Sequence, residues 1–214
     1  MTHSIRVVPA VLTDDPKALK TMLQQAETFT DYVQIDIMDG KFVPSRSITR
    51  EQITGIPLKM RWEVHLMVEQ PEKQLEDYQK AGASKAIFHY EATSSPREVI
   101  LSARKSGLAI GLAVNPETSV FDILPLVDEI DSVLFLAVHP GFYGAKFIPE
   151  VLDKITELRQ ARPALSIGID GGIKENNIAR IAQGGVNEIF VGSAIFLQPN
   201  PAESYHRLVS LVNA

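Results

Sequence analysis

The 214 residues read as one (β/α)8 barrel domain spanning 1–214, and three observations predict it. Eight apolar, β-branched runs alternate with amphipathic stretches of helical spacing. The runs recur roughly every 20 to 30 residues, the length of a strand-helix unit, and eight such units match the lower size of this barrel. In several runs one face is apolar and the other mixed or polar. Strands of an open doubly wound sheet, covered by helices on both sides, are apolar on both faces. Barrel strands pack one face under helices and turn the other into an interior whose top layer is the active site.

The eight strand candidates are Ile5–Leu12, Tyr32–Ile37, Met60–Val68, Lys85–His89, Leu108–Val114, Ser132–Val138, Leu165–Asp170 and Val186–Val191. In the second, Gln34 and Asp36 share a face opposite Val33, Ile35 and Ile37. In the third, Glu63, His65 and Met67 oppose Trp62, Val64 and Leu66. In the seventh, Ser166, Gly168 and Asp170 oppose Leu165, Ile167 and Ile169. Helices begin and end on recognisable signals. Asp15-Pro16 opens Lys17–Thr28, Pro71-Glu72 opens Lys73–Ala81 with Gly82 closing it, and Lys174–Gln183 stops at Gly184-Gly185.

Composition excludes several classes of partner. At 45% hydrophobic and 22% charged residues the chain has ample material for a core. Its net charge of -5, with no cluster of Lys or Arg, argues against a nucleic-acid surface. An anionic ligand must then be held by backbone N–H groups or a few chosen side chains. No apolar run approaches the roughly 20 residues of a membrane helix, and the N-terminal residues lack a signal-peptide pattern. The absence of cysteine is compatible with a reducing compartment, and the cytoplasm is the expected location.

Asp36 and Asp170 each close a strand candidate and run into a glycine-containing loop. If both sit at one mouth of a barrel, one can remove a proton from carbon while the other returns one to the opposite face, which is epimerase chemistry. His65, His89 and His139 also fall at or near strand ends. His65 shares its face with Met67 on the strand next to Asp36. Asp36, His65 and Asp170 together offer two oxygens and an imidazole, a set suited to Zn2+, Mn2+, Fe2+ or Co2+. The plainer alternative is that the two aspartates only cap helices or brace their loops. Glycines in Asp170-Gly171-Gly172-Ile173 and Val191-Gly192-Ser193-Ala194 let backbone N–H groups approach a phosphate after strands seven and eight, the usual phosphate site of this fold. Pro140-Gly141-Phe142-Tyr143-Gly144 after strand six would add a third wall.

These segments, in this order, carry a resemblance over nearly the whole length. The chain resembles ribulose-phosphate 3-epimerases in 33–44 (VQIDIMDGKFVP), 64–68 (VHLMV), 115–118 (NPET), 139–142 (HPGF), 147–150 (FIPE), 170–173 (DGGI) and 191–196 (VGSAIF). The resemblance implies a barrel that interconverts D-ribulose 5-phosphate and D-xylulose 5-phosphate by two-base proton transfer through a cis-enediolate, with a place in the pentose phosphate pathway. It implies that Asp36 and Asp170 are the acid/base pair and, with His65, metal ligands. It further implies a phosphate grip from Gly141, Phe142, Tyr143, Gly144, Gly171, Gly172, Ile173, Gly192 and Ser193, and apolar cover of the reacting carbons by Met38 and Met67. Family members are commonly homo-oligomers, so the same is expected here by analogy.

The departures are specific. Gln34 stands where the family usually has a histidine ligand, and Ala10 where it usually has a serine; His139 and Tyr143 stand where Asn and Gly are usual. A neutral amide oxygen is a poorer partner for Zn2+ than imidazole. The expected cofactor is one divalent ion (Zn, Mn, Fe, Co or Mg), with Gln34 as a doubtful fourth ligand and binding weakened or lost through it. His139 is a candidate compensating ligand. Two other functions stay open: a 3-epimerase of another ketose phosphate such as a hexulose 6-phosphate, and a non-catalytic sugar-phosphate-binding barrel.

Overall fold

The computed structural model describes residues 5–141 and 145–213. Eight parallel strands close into a barrel in sequence order: β1 (Arg6–Val11), β2 (Tyr32–Met38), β3 (Arg61–Met67), β4 (Lys85–His89), β5 (Ala109–Val114), β6 (Ser132–Leu136), β7 (Ser166–Asp170) and β8 (Glu188–Val191), with β8 returning to β1. The architecture is therefore a (β/α)8, or TIM, barrel. Around it lie α1 (Pro16–Ala26), α2 (Arg50–Thr54), α3 (Leu75–Lys80), α4 (Pro96–Lys105), α5 (Val120–Ile123), α6 (Val151–Ala161), α7 (Glu175–Ala182), α8 (Ser193–Phe196) and α9 (Pro201–Val212). Among the described residues no helix is long and apolar enough to cross a membrane.

The alternation read from the sequence is the alternation of the barrel wall. Val33, Ile35, Ile37, Val64, Leu66, Ile167 and Ile169 pack outward with the helices in one continuous core. Inside, Val8, Ala10, Tyr32, Ile87, Ala113, Leu134, Leu136 and Phe190 form a second, smaller cluster. Burial of each large apolar side chain contributes roughly 1.5–3 kcal/mol, so the helix-facing layer carries most of the stability. The interior is left free to hold polar groups.

Those groups occupy both ends of the barrel. At the N-terminal end Glu63, fully buried, accepts a hydrogen bond from the Tyr32 hydroxyl (2.8 Å) and pairs with Lys85 (3.1 Å), which also faces Glu188 at 3.6 Å. Burial pushes the Glu63 carboxyl up, partly offset by Lys85. On Lys85 burial acts downward, but Glu63 and Glu188 outweigh it and hold the ammonium above its ordinary value. The paired charges make a polar floor beneath the site at the other end.

Helix starts follow the sequence signals. The Asp15 side chain accepts the Lys17 N–H at 2.9 Å, with Pro16 in the first turn. One helix differs from expectation. The helix read as Lys73–Ala81 is a 3-10 turn (Pro71–Lys73) followed by a short α3, with Gln74 (φ -114°) between the two pieces and Gln70, in a left-handed conformation (φ 54°), ahead of both.

Candidate active site

Parallel register sets the first pair of functional side chains. Asp36 on β2 lies directly beside His65 on β3, both pointing inward near the C-terminal ends of their strands. His65 Nδ1 is 3.0 Å from Asp36 Oδ1 and 4.0 Å from Asp170 Oδ2, which arrives from β7 across the barrel. Gln34, one inward step below Asp36, donates its amide nitrogen to Asp36 Oδ1 (2.9 Å) and to Asp170 Oδ2 (3.1 Å). Four side chains that alternation places on inward faces thus converge on one point. Asp36, Gln34 and His65 are buried, so their contacts are made with little competition from water.

A cavity of about 670 Å³, mouth included, opens above them. Its lining includes Ala10, Met67, Gly141, Gly171, Gly172, Ile173, Gly192 and Ser193, together with Asp36, His65 and Asp170. Met38 packs with Met67, Val43, Leu12 and Phe42 in an apolar cluster beside it. The loop after β2 brings Phe42 and Val43 there, held by Asp39, whose carboxylate accepts the Lys41 and Phe42 N–H groups and, from the β3 side, that of Glu69. Phe142, Tyr143 and Gly144 lie outside the described residues.

The glycines of the seventh loop are demanded by space. Gly171 and Gly172 have φ of 104° and 66°, and a Cβ on Gly172 would lie 2.7 Å from the Phe147 backbone nitrogen. Asn177 of α7 fixes this loop from behind: its amide donates to Gly172 O (3.0 Å) and its oxygen accepts the Lys174 N–H (2.8 Å).

Comparison with known proteins agrees in sequence and in shape. Residues 6–196 match the model of the ribulose-phosphate 3 epimerase family. Ribulose-phosphate 3-epimerase of Synechocystis sp. is 38% identical over 95% of this chain and 93% of its own. The enzyme of that name from Schizosaccharomyces pombe is 34% identical over 92% of this chain and 90% of its own. The chain belongs to the ribulose-phosphate 3-epimerase family. Among solved structures, 3-hexulose-6-phosphate synthase from Salmonella typhimurium superposes with a TM-score of 0.75 at 15% identity, covering 98% of this chain and 99% of that one. KGPDC from Streptococcus mutans gives a TM-score of 0.77 at 13% identity, over 98% of this chain and 97% of that one. At such identities the likeness is one of fold.

Membership of this epimerase family gives the electrostatics a context. Burial and the neighbouring Asp36 charge push the Asp170 carboxyl up to about 7, against the downward pull of His65, Gln34 and the Gly171 N–H. On His65 burial acts downward, but Asp36, by hydrogen bond and charge, and Asp170 hold the imidazole above its ordinary value. Two carboxylates forced together are a site short of positive charge.

The donor set fits a divalent metal. Asp36, His65 and Asp170 offer one ligand atom each, all within 4.8 Å of one another. The Gln34 Oε1 atom is buried with no hydrogen-bond partner, while its amide nitrogen occupies the space between the carboxylates. Turning the amide over would present that oxygen as a fourth, neutral ligand, and would remove the unpaired buried acceptor. An oxygen-rich set of this kind favours harder ions than a two-histidine set does.

His139 does not join this group. Its side chain is 69% exposed and its Nε2 meets Glu117 Oε1 at 2.5 Å. The reason is local: β6 ends at Leu136, so His139 lies beyond the rim. Sequence reading placed His89 at a strand end but gave it no role behind His65. His89, at the end of β4, is fully buried and contacts His65, and Glu91 follows it. A histidine closing a buried strand, followed two residues later by an acid, was the available signal.

Proposed function

We propose that this chain interconverts D-ribulose 5-phosphate and D-xylulose 5-phosphate, as one barrel domain in the cytoplasm and as a homo-oligomer. The observation that carries the reading is the convergence of Asp36 and Asp170, from strands across the barrel, on the same Gln34 amide at the floor of a cavity flanked by glycine loops. The ketose stands over the two carboxylates with its phosphate toward Gly171–Ile173 and Gly192-Ser193. No Lys or Arg lines the cavity among the described residues, so backbone N–H groups hold the anion.

In one direction Asp36 takes the proton from C3. The electron pair moves into the C2 carbonyl to give a cis-enediolate, and Asp170 delivers a proton to the opposite face of C3. In the other direction the roles exchange, and the sum conserves protons. Met38 and Met67 keep water from the planar intermediate. Asp36, His65 and Asp170, with Gln34 as a weaker fourth ligand, would hold a divalent ion, which supplies positive charge to the developing oxyanion.

The test is NMR in D2O with D-ribulose 5-phosphate, using metal-stripped protein and protein resupplied with Mn2+ or Zn2+. Deuterium at C3 with xylulose 5-phosphate appearing is the expected result, fastest in the Mn2+ sample. Exchange only with a hexulose 6-phosphate would overturn the substrate assignment, and no exchange with either would leave a sugar-phosphate binder.

A further inference from the structure

His89 is wholly buried, yet it does not line the cavity. Its Nε2 lies 2.9 Å from His65 Nε2, and its Nδ1 lies 3.4 Å from Glu91 Oε2. The Phe42 ring, with centroids 4.9 Å apart, rests against it. Beyond it, Glu91 Oε1 accepts the Asn115 N–H at 2.8 Å and the Thr118 hydroxyl. The result is a row running from the loops after β4 and β5 to the metal-ligand cluster: Glu91, His89, His65, Asp36.

Counting protons along this row constrains it. Three contacts join two carboxylates through two imidazoles, and each contact needs one proton. A ligating imidazole is neutral, so with a cation at His65 the two imidazoles bring two protons and the ionised carboxylates none, and one contact is left with two facing acceptors. If the middle one is empty, two lone pairs face each other at 2.9 Å with no anion to draw a cation there. If the contact at Glu91 is empty, the His89 lone pair faces a carboxylate that only two neutral donors compensate. If the contact at Asp36 is empty, the deficit falls where Asp36 and Asp170 converge and where a dication is drawn most strongly. Only this last order turns the His65 Nδ1 lone pair toward both carboxylates.

We propose that His89, oriented by Glu91, is a positioning residue that fixes His65 as the Nε2–H tautomer and so presents Nδ1 to a divalent cation. The inference rests on the metal-dependent reading of the site. It assigns a task to two side chains that touch neither substrate nor metal, and it follows the general rule that the free nitrogen of a ligating histidine is pinned by a hydrogen-bond partner.

Glu91→Gln tests it by inverting the row. The Gln oxygen would keep the two donors from Asn115 and Thr118, leaving its NH2 to face His89 Nδ1. His89 must then carry its proton on Nε2, against the proton of His65. The experiment records imidazole 15N shifts of histidine-labelled full-length protein with and without Zn2+, and measures Zn2+ affinity by chelator competition. In the wild type, His89 is expected as Nδ1–H in both states and His65 as Nε2–H with Zn2+ bound. Glu91→Gln should move the His89 proton to Nε2 and weaken Zn2+ binding about 10- to 100-fold. His89→Gln, whose amide can accept from His65 and donate to Glu91, should bind Zn2+ nearly as the wild type does, whereas His89→Leu should not. Wild-type His89 found as Nε2–H, or Zn2+ affinity unchanged in Glu91→Gln, would overturn the proposal. A wild type that binds no Zn2+ would overturn the metal reading alone, since the metal-free spectra still report the His89 proton.

Discussion

Asp170→Asn should make the metal-free protein more stable while destroying its activity. Asp170 is pushed up to about 7 from an ordinary 3.8, chiefly by burial and then by the charge of Asp36. A carboxyl whose value is raised on folding is held protonated by the native state. Its contribution is whole below 3.8 and is lost as pH rises through about 7. Three units at about 1.4 kcal/mol each amount to roughly 4 kcal/mol at pH 8. The side chain is 15% exposed, which leaves most of this in place. Asparagine has the same shape and no charge, so the variant should exceed the metal-free wild type by about 2–4 kcal/mol at pH 8, with the gap closing toward pH 4. Urea denaturation of chelator-treated proteins across that range measures it. Epimerisation by the variant should fall by about 10^2- to 10^4-fold or more, because the proposed acid/base group and metal ligand are lost together. An Asn variant less stable than metal-free wild type at pH 8 would refute the account of two carboxylates crowded together.

Gln34→His should tighten Zn2+ binding, measured by chelator competition, because an imidazole replaces an amide that holds its nitrogen between the carboxylates; unchanged affinity would mean that Gln34 serves another purpose. Lys85→Met leaves Glu63 buried without its cationic partner and should cost about 3–5 kcal/mol in urea denaturation, part of which Glu63→Gln in the same chain should recover. Gly172→Ala forces a side chain into a left-handed position and against Phe147, so a loss of at least about 1–2 kcal/mol is expected, with a rise in KM for the phosphorylated ketose as the loop shifts.

Strand alternation made most of the site legible in advance. An inward carboxylate at the end of β2 must neighbour the inward residue at the end of β3, so Asp36 and His65 are paired by period and register alone. Asp170 joins them because closing eight strands brings β7 round to face β2 across the mouth. Where periodicity stops, so does the inference. His139 sits a few residues past the last rung of β6 and turns out to Glu117, although its spacing from the strand looked much like that of a site residue. The α3 segment read as one helix because its apolar positions are in phase, while Gln74, the residue at which it divides, carries no hydrophobic signal.

Gln34 shows the same limit and its physical origin. That it points inward follows from alternation, but the direction in which its amide turns does not. The direction is set by the excess of negative charge that Asp36 and Asp170 create together, which draws the NH2 between them and leaves Oε1 unpaired. An amide in that position does with two N–H groups part of what a cation would do with full charge. A bound ion would compete with it for both carboxylates and reward its reversal. On the metal-dependent reading proposed above, the departure from the family pattern should therefore weaken the site in two ways, by removing an imidazole and by supplying a resident donor that an entering metal must turn away. Restoring histidine at 34 reverses both, which is why that substitution should change affinity more than it changes the fold.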